Sequence, residues 1–96
     1  MIVITAALKA KPGKENELVS VMKELTAAVK ANEKDTLDYT LHRSKKDPLL
    51  FLVYEKYRSP EAMKAHMASP HFQAAAKKFA GILDGGLGVE MYEVIE

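Results

Sequence analysis

The sequence predicts an α+β domain: four antiparallel strands carrying helices on one face, in the order β-α-β-β-α-β. Three observations predict it. Period-two alternation of apolar residues marks strands at 2–9 and 36–43. Apolar residues at helical spacing mark 14–31 and a second, broken stretch between Ser59 and Leu83. Turn residues separate these segments at Pro12-Gly13, Lys45–Pro48 and Asp84-Gly85-Gly86.

Each element has its own signature. In the first strand, Ile2, Ile4, Ala6 and Leu8 share one face, with Val3, Thr5, Ala7 and Lys9 on the other. Leu18, Val21, Met22, Leu25 and Val29 then form a helical stripe, and the polar Asn32–Asp35 segment ends that helix. Leu37, Tyr39 and Leu41 alternate against Asp38, Thr40 and His42. Leu49 to Tyr57 is a further strand, and 37–57 together read as a hairpin. Ser59-Pro60-Glu61 opens a helix with a hydroxyl N-cap, a first-turn proline and an acid at the positive end. Ser69-Pro70 repeats the signal, so the helical stretch breaks near residue 69. Phe72, Ala75, Ala76, Phe79 and Leu83 line one face of its second half. Leu87 to Ile95 forms the last strand. The arrangement is the split βαβ of ferredoxin-like domains.

Length and composition narrow the function. Ninety-six residues make one domain spanning 1–96. A net charge of +1 without like-charge runs offers no footprint for nucleic acid or an acidic membrane. Absence of cysteine excludes disulfides, thiolate nucleophiles and Cys-ligated metals. The alternating N-terminus reads as a strand and not as a signal peptide, and no apolar run reaches membrane-spanning length. A cytoplasmic domain is the expectation. Leu49–Tyr54 is apolar at every position, whereas a strand with one wet face alternates. Helices cover one face, so a second copy is expected on the other, giving a homodimer through the sheet with Leu50, Leu52 and Tyr54 facing the partner.

Candidate chemistry collects at one strand–helix junction. Glu55 shares a strand face with Phe51, Val53 and Tyr57, and a buried carboxylate there needs a donor or its pKa rises. His66 follows Ala62 and Met63 at helical spacing and so faces inward. Glu55 is its expected partner, which would fix the ring's tautomer and raise its pKa. His71 lies in the first turn of the next helix, whose positive end favours the neutral ring. His66, His71 and Glu55 are thus the candidate catalytic residues. Tyr57, Phe51 and Phe72 are the candidate substrate-binding residues, whereas Tyr39 and Tyr92 read as core. No metal site is expected: no His-x3-His or HExxH pair occurs, and His66 and His71 stand five apart across a helix break. The Gly85-Gly86-x-Gly88 run leads into a strand and offers no phosphate cradle. The chain lacks the glycine-aromatic strand pattern of an RNA-recognition module.

The Thr36-Leu-Asp-Tyr-Thr-Leu-His-Arg43 strand, the Tyr54-Glu-Lys-Tyr-Arg58 strand end and the His66-x-x-Ser-Pro-His-Phe72 break resemble the antibiotic biosynthesis monooxygenase (ABM) domain family over essentially the whole chain. That resemblance implies a dimeric α/β barrel, with two sheets facing and helices outside. It implies small monooxygenases that oxidise phenols or quinols to quinones without metal, flavin or haem, the substrate supplying the electrons. Other members process or bind small metabolites, including a phosphorylated autoinducer sugar, and one branch degrades haem. The family commonly has Trp where Tyr57 stands; the autoinducer-processing members share the Tyr. The haem branch uses a first-strand Asn and a helix His. Here Thr5 and Ala6 fill the first strand and Ala74–Ala76 the helix, so haem degradation does not fit. The expected function is a cofactor-independent monooxygenase acting on a small phenol or quinol, with His66 or His71 as base. The alternatives are a small-metabolite isomerase using the same His, or a non-catalytic ligand-binding dimer.

Overall fold

The computed structural model describes all 96 residues. Its elements are β1 (Ile2–Lys9), α1 (Glu15–Asn32), β2 (Thr36–Arg43), β3 (Leu50–Tyr57), α2 (Pro60–Ala68), α3 (Pro70–Ile82) and β4 (Gly88–Glu93). The sheet runs β2-β3-β1-β4 with every neighbour antiparallel. This is the ferredoxin-like α+β fold, with its second helix split in two at Ser69. No helix is long and apolar enough to cross a membrane.

Alternation sends one set of side chains under the helices. Ile4, Ala6 and Leu8 of β1 and Phe51, Val53, Glu55 and Tyr57 of β3 are buried. They meet Leu18, Val21, Met22, Leu25 and Val29 of α1 and Ala75, Phe79 and Ile82 of α3. The ends of β1 and α3 are tied together, Asp84 N–H donating to the Lys9 carbonyl at 2.7 Å.

Two irregularities position the site. The β2–β3 register shifts between Thr36 and Asp38, so Leu37 bulges out, 38% exposed. The alternation had placed Leu37 inward; the extra residue instead brings Thr36 opposite Tyr57, on the buried face. The second irregularity is the break between α2 and α3. Ser69 Oγ accepts the Phe72 N–H, capping α3, and donates to the His66 carbonyl at 2.6 Å, closing α2. Its extended backbone redirects the chain within one residue.

The sheet face away from the helices is uncovered in the single chain. Leu50 and Leu52 are each 37% exposed there. On β4 both faces are open, every residue from Gly88 to Glu93 being exposed. Val89 and Met91 point to the helix side yet remain exposed.

Candidate active site

Where α1 ends, α2 breaks and β2–β3 run beneath, one carboxylate gathers three donors. Glu33 lies just past the last residue of α1. His66 Nδ1 lies 2.9 Å from its Oε2, His71 Nε2 lies 2.5 Å from the same oxygen, and Thr36 Oγ1 donates to Oε1 at 2.6 Å. An ionised carboxylate only accepts, so both ring nitrogens carry protons. This assigns His66 as the Nδ1–H donor and His71 as the Nε2–H donor. Burial pushes the Glu33 carboxyl up, but hydrogen bonds from His71, Thr36 and His66 outweigh it and hold its pKa below the ordinary value.

His66 is 2% exposed. Its ring lies among those of Phe72 (5.0 Å between centroids), Tyr39 (5.1 Å), Tyr57 (5.7 Å) and His71 (6.3 Å). Desolvation lowers its pKa below 6.5, overriding the upward pull of Glu33. The neutral ring therefore dominates at pH 7, with its lone pair on Nε2. That atom is buried and has no hydrogen-bond partner.

The expected Glu55–His66 pair does not form. Glu55 Oε1 instead accepts the Tyr57 hydroxyl at 2.6 Å. Two positions apart on one strand, the two side chains share a face, and the tyrosine supplies the donor that a buried carboxylate requires. Burial raises the Glu55 pKa to about 7, with the Tyr57 bond holding it back and the charge of Glu33 adding to the rise. Burial and the neighbouring carboxylates push the Tyr39 and Tyr57 hydroxyls up as well, so both stay protonated. The expected rise in the His66 pKa is likewise corrected to a fall, because burial of the ring outweighs its carboxylate.

Of the other candidates, Phe72 packs on His66, and His71 completes the cluster, 17% exposed at its side chain. Phe51 lies elsewhere: it is buried opposite Leu8 and Arg43, whose guanidinium stacks 4.7 Å from its ring. The five-residue spacing of His66 and His71 across a helix break is not a regular ligand spacing in the sequence; the Ser69 turn nonetheless brings both rings onto one carboxylate oxygen. Glu33, Thr36 and Tyr39 were not anticipated as site residues. Tyr39 had a usable signal in its inward alternation. Glu33 had none, being one acid in a polar helix end.

A cavity of about 30 Å³ lies between helices and sheet, lined by Tyr39, Glu55, Phe72, Phe79 and Leu87 among others. It has room for a water or two, whereas benzene occupies an apolar cavity of about 150 Å³. Leu87, in the turn before β4 and 40% exposed, is the wall with least packing behind it.

The class these features define is a ferredoxin-like α+β domain with a buried histidine–carboxylate cluster, separated by Tyr39 and Phe72 from a small, mainly apolar cavity. The antibiotic biosynthesis monooxygenase family profile matches residues 1–78, a span that holds the whole cluster. A relative from Bacillus subtilis (strain 168), "Putative monooxygenase YcnE", is 32% identical over 96 residues, covering both chains completely. The crystal structure of a "putative antibiotic biosynthesis monooxygenase" from Caulobacter crescentus CB15 superposes with a TM-score of 0.94 at 36% identity, over 99% of this chain and 90% of that one. A similarly described structure from Deinococcus radiodurans gives 0.91 at 23% identity, over 100% and 94%, and bears on the fold alone. The chain belongs to the antibiotic biosynthesis monooxygenase family. Monooxygenation is the activity for which that family is named.

Proposed function

We propose that the protein is a cofactor-independent monooxygenase that oxidises a small phenol or quinol with dioxygen, and that His66 is its base. The observation that carries the reading is the His66 imidazole, held by Glu33 through Nδ1 and unpartnered at a buried Nε2. A neutral imidazole so oriented takes a phenolic proton, and the resulting phenolate reduces dioxygen more readily than the phenol. For a simple phenol the balance is phenol plus dioxygen to quinone plus water. One oxygen atom becomes the new carbonyl and the other leaves as water; all four electrons come from the substrate. Glu33 orients the base, and His71 and Thr36 hold Glu33. Phe72 and Tyr39 flank the ring, and Glu55, half protonated near neutrality, is placed to hydrogen-bond the substrate oxygen. Admission of a ring requires the cavity to widen, and displacement of Leu87 is the shortest way.

The working unit in this reading is a homodimer. The apolar stripe of Leu50, Leu52 and Tyr54, with Val3 and Ala7 beside it, supports a second copy packed sheet to sheet.

The test is oxygen uptake with a phenol and quinol panel, in chelator and without flavin. One quinone formed per dioxygen consumed, carrying one atom from labelled dioxygen and released without hydrogen peroxide, supports the reading; peroxide formed in step with quinone overturns it. A panel without turnover, together with a ligand-induced rise in Tm, replaces it with a binding protein.

A further inference from the structure

We propose that Glu33, His66 and His71 form a site for a first-row divalent cation, zinc being the best match, and that the bound cation silences the His66 base. The silencing rests on the proposed function; the site itself does not.

Three elements supply the donors: the end of α1, α2 and α3. One carboxylate oxygen and two imidazole nitrogens lie within 4.8 Å of one another. Two histidines and one carboxylate are a donor set that zinc takes when a fourth position stays open to water or another ligand. Glu33 Oε2 now sits at hydrogen-bond spacing from both rings. Zinc bonds of about 2.0–2.2 Å put tetrahedral ligand atoms roughly 3.3 Å apart. The carboxylate oxygen therefore needs to retreat by less than about an ångström, and the two ring nitrogens, within 4.8 Å of each other, need to close toward the same spacing; Glu33 lies beyond the last turn of α1 and His71 is partly exposed, so both can adjust around the buried His66. Thr36 on the second oxygen supplies the outer hydrogen bond that steadies ligating carboxylates. A surface groove of about 270 Å³, lined by Glu33, Thr36, Ser69 and His71 among others, gives a cation access from solvent.

The consequence for His66 follows from its tautomer. Coordination needs the lone pair at Nδ1, so the single proton of a neutral ring moves to Nε2. Nε2 is the atom that the proposed reaction uses as acceptor. Cation binding and proton abstraction by His66 are thus mutually exclusive states of one ring.

The experiment titrates chelator-stripped full-length protein with zinc by calorimetry, and with cobalt(II) by visible absorption. One ion per chain and the visible bands of tetrahedral cobalt are expected. His71→Ala and Glu33→Gln, each confirmed folded by circular dichroism, should weaken binding more than about tenfold, the upper effect of losing even an outer partner being larger. His71 is partly exposed in a first helical turn, so its removal leaves the core intact. His42→Ala serves as the control, its side chain being exposed and outside the cluster, and should change nothing. Absence of saturable binding, binding unchanged in His71→Ala, or binding lost in His42→Ala overturns the site. Stoichiometric zinc should abolish oxygen uptake, and excess chelator should restore it. Zinc bound at the cluster with uptake intact overturns the silencing alone. No uptake by the metal-free protein overturns the proposed function and the silencing with it, while calorimetry still decides the site.

Discussion

At His66 two opposing influences act on one imidazole. Burial disfavours the cation and Glu33 favours it, and burial prevails. Glu33→Gln removes the favourable influence, so the His66 pKa should fall further below 6.5 in an NMR titration run with chelator. Glu55→Gln should leave it nearly unchanged, since Glu55 is bonded to Tyr57. An equal response to both substitutions would contradict the assignment. Glu55 has its own signature. Unfolded, it titrates near 4.5; folded, at about 7. Between those values the folded state holds a proton that the unfolded state releases. This stabilisation is complete below about 4.5 and is lost as pH rises through about 7, a change on the order of 3 kcal/mol. Glu55→Gln should therefore gain Tm relative to the parent as pH rises across that window; a constant difference in Tm would show that Glu55 titrates normally. Inward-facing His66 was legible from Ala62 and Met63 at helical spacing. Its partner was not, because Glu33 is 33 positions away and only the tertiary fold brings helix end and helix break together.

Single residues reach the site through elements, and Ser69 is the clearest case. Ser59 and Ser69 both cap helices that open with proline. Alanine at either should cost about 1 kcal/mol by denaturant unfolding. Only Ser69→Ala should also change oxygen uptake, because Ser69 fixes the angle between the helices bearing His66 and His71. Equal activity in the two variants would deny the break that role. Both caps, the break and the four strands could be read from serine–proline pairs and alternation. The bulge at Leu37 could not: alternation through Leu37, Tyr39 and Leu41 continues unbroken in the sequence, and only pairing with β3 reveals the extra residue that turns Thr36 toward Glu33.

For the whole molecule, the apolar run Leu49–Tyr54 set both the sheet and the expectation of a partner. Light scattering at micromolar concentration should give about twice the 10.6 kDa chain mass, as a large apolar interface requires. Leu52→Glu should give a monomer or unfold the chain; a parent already monomeric would remove the dimer from the account. The fold was legible because it depends on periodicities of two and 3.6. The roles within the site were not, because they depend on which buried donor reaches which acceptor. The most direct measurement of the central claim is the rate of oxygen consumption by His66→Gln and His71→Ala in chelator, on a phenol or quinol that the parent oxidises. If His66 is the base, its folded variant should lose about 10²-fold or more, and His71→Ala, which only steadies Glu33, should lose less. Full oxygen consumption by folded His66→Gln would contradict the account.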